Sequence, residues 1–259
     1  MQDARWQGPQ EQGLNRAEWK TANSRFLQFA ANNPDDAVAA VALLWSARAA
    51  FAEADFAGAV KAATDIAERY PGSEVLNSAL LVQGEALIEL ARFDEAVLVL
   101  DRVGKAENAA SAERFKAKVL KADALFAMGA DNSARYEAAL EEYRKIDFDG
   151  AVDCNLALSV AFKIGRTLEK LKRYDESVDQ YYSQVVLAYR NGLERGERFG
   201  DEAKAVFSRA AFRLVDEFER RGRTRQALSI LQLVSASDVP AAEEAARRYE
   251  RISEKGRFL

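Results

Sequence analysis

The chain contains no histidine, one cysteine and only four prolines. Without an imidazole there is no Ser-His or Cys-His nucleophile, and no His-ligated zinc, copper, haem or non-haem iron site. Most familiar enzyme chemistry goes with it. Cys154 alone cannot close an internal disulfide, so cysteine usage leaves the redox compartment open. Long apolar runs are missing too. The most apolar stretch, residues 37–52, falls short of the roughly 20 residues that cross a bilayer and carries Arg48 inside it, so no transmembrane segment is expected. Neither charge sign is in large excess: 37 Lys and Arg against 41 Asp and Glu give −4. That leaves no global field to hold nucleic acid or an anionic membrane, and no nucleic-acid partner is expected. The opening Met1-Gln2-Asp3-Ala4-Arg5-Trp6 lacks a basic segment followed by an apolar one, so no signal peptide is expected within the chain, while one removed earlier stays open.

What is abundant is helix formers. Ala, Leu, Glu, Arg and Lys fill the sequence, and apolar residues recur at three and four, as in Val75, Ala79, Leu80, Gly84, Leu87 and Ile88. Pro34, Pro71 and Pro240 sit among small and polar residues, where helices stop. Helix ends are predicted near Ala31, Glu53, Tyr70, Leu90, Gly104, Met128, Ile146, Leu171, Arg190, Arg221, Ala236 and Lys255, which makes twelve helices. Pro34 and Pro71 are 37 residues apart, and the same offset carries Ala22 to Ala59 to Ala96, Phe26 to Ala63 to Leu100, and Phe29 to Ile66 to Val103. The small-residue column continues to Ala139, Ser177 and Ala227, at intervals of 43, 38 and 50. Each unit then has one layout: a helix with a small residue near its middle, a tight turn, and a second helix opening on an aromatic, an acid and a small residue. The turns read Ala54-Asp55-Phe56, Ala91-Arg92-Phe93, Lys172-Arg173-Tyr174 and Gly222-Arg223-Thr224. Two antiparallel helices approach closely only where small side chains face each other, so Ala47, Gly84 and Gly165 are expected opposite Ala59, Ala96 and Ser177.

These residues resemble the tetratricopeptide repeat, carried in one unit by Leu80, Gln83-Gly84, Leu87, Phe93, Ala96, Leu100 and Val103 and in another by Ala161, Ile164-Gly165, Leu168, Tyr174, Ser177 and Tyr181. The resemblance implies an all-α, right-handed α-solenoid of antiparallel helix pairs over residues 15–259. It would have about five full repeats, a half repeat in front and a polar cap behind, after a flexible tail at 1–14. The family period is about 34 residues, so these helices should be about a turn longer. The register is least certain at the insertion Met128-Gly129-Ala130-Asp131-Asn132 and in the gap from Asn191 to Gly200. The helix endings Asn32-Asn33-Pro34-Asp35 and Arg69-Tyr70-Pro71-Gly72-Ser73 are similar to those of bacterial envelope members of the family, the outer-membrane assembly lipoproteins and the Tol-Pal coordinator group. A periplasmic or outer-membrane-associated setting follows as one expectation, and a cytoplasmic one stays open, because cytosolic members share such endings.

Candidate chemistry is sparse. Asp147-Phe148-Asp149-Gly150 with Asp153 is similar to part of a calcium loop but lacks the closing bidentate acid, so the expected role is a helix cap and no metal or cofactor is predicted. Arg220-Arg221-Gly222-Arg223-Thr224-Arg225 is the dense basic run; phosphate or acidic-partner binding competes there with a solvated turn. The pairs Asp35-Asp36 and Glu141-Glu142 are adjacent and diverge by about 100° on a helix, which cannot flank one substrate bond. Cys154 is expected to be a buried small hydrophobe.

With no catalytic constellation, the implied function is a non-enzymatic scaffold that binds a protein or peptide partner in a groove lined by the first helices. The competing reading is a carrier, or enzyme-associated superhelix, enclosing a small apolar ligand or glycan. In the tetratricopeptide register the groove positions are Leu44, Arg48, Phe51, Leu81, Glu85, Ile88, Val119, Asp123, Phe126, Phe162, Arg166, Glu169, Phe212, Arg213 and Asp216. Leu44 and Arg48 stand where chaperone-binding members carry the Lys and Asn that grip a terminal carboxylate, so that clamp is not expected. Aromatics one helix apart suit an amphipathic helix or apolar peptide, with Arg48 and Arg166 pairing its acids. The alternative is that Phe51, Phe126, Phe162 and Phe212 pack between neighbouring helices.

Overall fold

The computed structural model describes residues 16–36, 38–146 and 153–256, and among them there is no strand. The tail at 1–14 and the Asp147-Phe148-Asp149-Gly150 loop lie outside the described residues. Among the described residues twelve helices follow one another: α1 Arg16–Asn32, α2 Ala39–Ala52, α3 Phe56–Arg69, α4 Leu76–Glu89, α5 Phe93–Lys105, α6 Ser111–Met128, α7 Ala134–Arg144 and α8 Cys154–Lys170. Next comes α9, continuous through Tyr174–Gln180, a π-helical stretch Tyr181–Leu187 and Ala188–Glu194, then α10 Asp201–Arg220, α11 Thr224–Ser235 and α12 Ala242–Gly256. Every predicted helix end falls within two residues of the observed one except that of α9, which runs to Glu194 rather than Arg190.

The chain divides within α7 into two compact units, the first ending at Glu142 and the second starting at Tyr143. In the first, helices α1 to α6 pack each on the next, and α4 also touches α2 and α6. Thus α2, α4 and α6 are first helices lying side by side, with α3 and α5 as their partners. The second unit repeats the arrangement, α8 on α9, α9 on α10, α10 on α11 and α11 on α12, with α8 against α10. This is the stacking of an α-solenoid.

Small side chains set the spacing within each pair. Of the small-residue column found in the sequence, Ala59, Ala96, Ala139, Ser177 and Ala227 are at most 3% exposed, whereas Ala22 on α1 is only half-buried. What faces the glycines, however, is the bulky residue four positions further on. A Cβ on Gly84 would stand 2.5 Å from Leu100 Cδ2, and one on Gly165 would stand 2.3 Å from Tyr181 Cε1. The first unit thereby closes around alanine, with Ala39, Ala47, Ala59, Ala63 and Ala79 in one cluster. The second closes around rings: Tyr189 stacks on Phe207 at 4.3 Å and meets Phe199 at 4.4 Å.

Four of the hairpin turns share one backbone solution. The second residue past each helix is left-handed, with φ of 63° at Ala54, 56° at Ala91, 60° at Lys172 and 68° at Gly222. The next amide then reaches back to the helix: Asp55 N–H to Ala50 O, Arg92 to Leu87, Arg173 to Leu168 and Arg223 to Phe218, at 2.8 to 2.9 Å. This six-to-one bond is the Schellman motif, which satisfies a carbonyl the helix end would leave bare. The following residue opens the second helix. Asp55 accepts from Gly58 N–H at 2.9 Å, and Arg92 and Arg173 fork onto Glu95 and Glu176. Asp153 caps α8 in the same way through Asn155 N–H at 2.9 Å.

Consecutive repeats are also tied by polar side chains. Tyr70 donates to Pro34 O at 2.7 Å, joining the two proline-bearing helix ends, and Ser78 donates to Glu113 at 2.6 Å. Lys121 bridges Asp101 at 2.7 Å and Glu142 at 3.0 Å, and Arg221 reaches Asp175 at 2.6 Å.

The left-handed turn predicts opposite signs for two substitutions. A non-glycine residue in this conformation costs roughly 1–2 kcal/mol, against about 0.4–1 kcal/mol of extra unfolded-state entropy for glycine. Ala91→Gly should therefore raise the urea midpoint and Gly222→Ala should lower it, each by about 0.5–1 kcal/mol in stability, with m unchanged; the same sign for both variants would contradict the shared turn.

Candidate functional site

Helix α2 is buried on most of its surface, and what stays partly open is a stripe at Val41, Trp45, Arg48 and Phe51, spaced four, three and three, with Ala52 exposed at the end. The Arg48 guanidinium lies 4.6 Å from the Trp45 ring centroid. It forms no ion pair among the described residues. Burial draws its pKa below the ordinary arginine value, while the charges of Glu113 and Glu85 oppose that shift. On the neighbouring first helices, Glu85 of α4 is bridged by Lys116 of α6 at 2.8 Å. The first-helix face of this unit is thus polar around one stacked Trp-Arg pair.

The expected groove residues of this unit spread over two layers. Arg48, Glu85 and Asp123 are partly exposed, whereas Leu44 and Leu81 are buried at 4% and 6%. Phe51 meets Phe56 edge-on at 5.3 Å, Phe126 meets Tyr136 at 5.2 Å, and Ile88 packs on the core cluster of α4 to α6.

In the second unit the structure gathers the charged candidates. Arg166 and Glu169 of α8 and Arg213 and Asp216 of α10 line one cleft of about 450 Å³, floored by Ser177 and Tyr181 of α9. Arg213 holds Glu169 at 2.6 Å, and Arg248 of α12 holds Asp216 at 2.5 Å. Phe162 is 6% exposed and packs on Tyr181 with centroids 5.6 Å apart, under the guanidinium of Arg209 at 5.4 Å. Phe212 packs against the core of the same unit. The basic run is pinned at its start, Arg220 and Arg221 both reaching Glu217, at 2.5 and 2.6 Å. Cys154 is half-buried, and burial followed by the neighbouring Asp153 pushes its thiol up, away from the reactive thiolate.

Residues 41–73 match the tetratricopeptide repeat family. The matched segment holds most of α2, all of α3 and the turn after it, so one tetratricopeptide repeat coincides with one observed helix pair. No curated protein matches the chain by sequence. Among solved structures it is similar to the Rap conjugation gene regulator of the plasmid pLS20 in complex with the Phr* peptide, at 14% identity and TM-score 0.48, covering 93% of this chain and 68% of that one.

Several residues of these surfaces escaped the sequence reading. Trp45 shares the stripe of Arg48 within the matched segment and was recoverable from that spacing. Tyr181, Lys170 and Glu217 were not, because the cleft they line depends on how α9 seats between α8 and α10.

Glu217 makes this region sensitive to acid. The hydrogen bond from Arg220, then that from Arg221, holds its carboxyl at about 2 against the opposing effect of burial. An unfolded glutamate titrates near 4.3, so the stabilisation is complete above that pH and is lost as pH falls through about 2. The urea midpoint should drop between about pH 4.5 and 2, and Glu217→Gln should make that drop shallower; equal slopes in the two proteins would refute the assignment.

Proposed function

We propose that the chain is a non-enzymatic scaffold that binds a peptide or helical segment of a partner protein on its first-helix faces. The observation that carries this reading is the Trp45-Arg48 pair. Tryptophan and arginine are the residues that most often anchor interfaces, and here they sit together in the middle of the partly open stripe of a mostly buried helix. Among the described residues Arg48 makes no ion pair, Glu113 and Glu85 acting on it only through their charge, which leaves its forked donors for a partner. The match of residues 41–73 to the tetratricopeptide repeat supports the same reading.

The competing carrier of a small apolar ligand fits less well. A ligand of that kind would desolvate Arg166, Glu169, Arg213 and Asp216 in the second-unit cleft without replacing their hydrogen bonds. An envelope setting is the narrower form of the proposal and rests on the two proline-bearing helix ends. The Tyr70 to Pro34 hydrogen bond gives those residues a structural use in any compartment. No helix among the described residues is long and apolar enough to cross a membrane.

Two alanine variants separate binding from folding. Arg48→Ala should melt within about 1 kcal/mol of the parent yet weaken capture of the partner protein by roughly tenfold or more. Phe162→Ala should cost about 3–5 kcal/mol in urea denaturation, as a ring lost from the core does. An Arg48→Ala chain that retains its partner at full strength would reject the first-helix face of the first unit as the binding surface.

A further inference from the structure

The net charge of −4 combines two unlike parts. Residues 1–142, the first unit, hold 22 Asp and Glu against 15 Lys and Arg, a net of −7, whereas residues 143–259 hold 19 against 22, a net of +3. The hairpin turns follow this division. In the second unit the α8–α9 and α10–α11 turns adjoin, tied by Arg221 to Asp175 at 2.6 Å. The acids around them are bridged: Asp175 by Arg221, Glu176 by Arg173, Glu217 by Arg220 and Glu219 by Arg248. Lys170, Lys172, Arg223 and Arg225 are exposed, and their side chains make no ion pair or hydrogen bond among the described residues. Asp179, more than a turn further along α9, is unbridged as well. The first unit has the reverse excess along its own turns. They carry Glu53, Asp55, Glu89, Asp94, Glu95 and Asp131 against Arg92 and Arg135, and the exposed Asp55, Glu89 and Asp131 make no ion pair among the described residues.

We propose that the basic turn edge of the second unit docks on the acidic turn edge of the first unit of a second copy of this chain, Lys172 and Arg223 of one copy facing Glu89 and Asp131 of the other. The two edges match in pitch. Successive turns sit on first helices that lie side by side, α4 and α6 in one unit and α8 and α10 in the other, so the charges of both edges repeat at a helix-packing distance of roughly 8–10 Å. Each edge also sets an apolar side chain among its charges: Tyr174 is 47% exposed beside Arg173, and Leu90 is 36% exposed beside Glu89. An occupant of one sign, such as an anionic membrane or a nucleic acid, would meet the −7 of residues 1–142 as a repulsion. A second copy instead offers each edge its opposite. The contact is heterologous, because the two edges are different surfaces. It goes beyond the scaffold reading and uses no residue of the α2 stripe. Exposed ion pairs are weak singly and screened by salt, so the association is weak, reversible and confined to low ionic strength.

The test is sedimentation velocity on the purified full chain over a concentration series, at about 10 mM and about 1 M sodium chloride, where the Debye length falls from about 30 Å to about 3 Å. The weight-average sedimentation coefficient should rise with concentration at low salt and stay at the monomer value at high salt. Lys172→Glu with Arg223→Glu, and separately Glu89→Lys with Asp131→Lys, should each weaken self-association at least tenfold with an unchanged melting curve. Mixed together, the two double variants should associate again, because one is now acidic at both edges and the other basic at both. Arg198→Glu with Arg251→Glu reverses two exposed charges of the second unit away from the turns and should associate like the parent. Equal loss in that control would show a diffuse charge effect and overturn the docking edges. So would a monomer at every concentration in low salt, association that survives high salt, or a mixture of the two double variants that stays monomeric. A monomeric chain that binds phosphatidylserine vesicles or single-stranded DNA through Lys172 and Arg223 would overturn the second copy as the occupant. No partner protein enters these measurements, so lost capture in the parent chain counts against the scaffold reading alone.

Discussion

The architecture depends on how closely a first helix can approach its second. That distance is set by side chains that are missing. Gly84 and Gly165 each leave a notch, and Leu100 and Tyr181 fill it. Because most flanks of α2 are then consumed by packing on α1, α3 and α4, its outward surface shrinks to the stripe from Val41 through Trp45 and Arg48 to Phe51. Close packing leaves little else of this helix open to solvent. The same economy explains why the first unit is built on alanine: helices that approach this closely have no room for larger side chains between them.

The turn supplies the second constraint, since a hairpin whose last residue is left-handed reverses the chain in a fixed geometry. Three of the four turns accept the strain of a non-glycine there, and only Gly222 avoids it. The fork from Arg92 or Arg173 to the glutamate three residues on rigidifies the start of the second helix just where the turn releases it. Each repeat therefore carries its own angle, and the polar ties between alternate helices, such as Lys116 to Glu85, transmit it to the next.

These features differ in how far they could be read from the sequence. Helix number, helix ends and the alanine column follow from periodicities that every turn of the chain repeats, so a local error is corrected by the next turn. The candidate groove could be read only in part. A one-residue shift rotates a side chain by about 100°, so a register borrowed from a family with a shorter period separates charges from rings only where chemistry also discriminates. Arg48, Glu85, Arg166 and Arg213 cannot be buried cheaply and stay at the surface whatever the register, whereas Phe162 gains by turning inward and sits at 6% exposure. The π-helical stretch Tyr181–Leu187 left no mark in the pattern, because a wider turn keeps the same composition and is fixed by the rings packed around it.

Electrostatics then decides what these surfaces can recognise. Most of their arginines are already committed to carboxylates, as Arg213 is to Glu169 and Arg248 to Asp216, and a partner gains little by exchanging one such pair for another. Selectivity must come from groups that the fold holds in place but does not satisfy. In the first unit that group is the Arg48 guanidinium on Trp45. Its N–H groups are all donors. A chain with a net charge of −4 would repel an acidic partner at long range, so such a partner would be admitted only where these local donors outweigh the field of the whole.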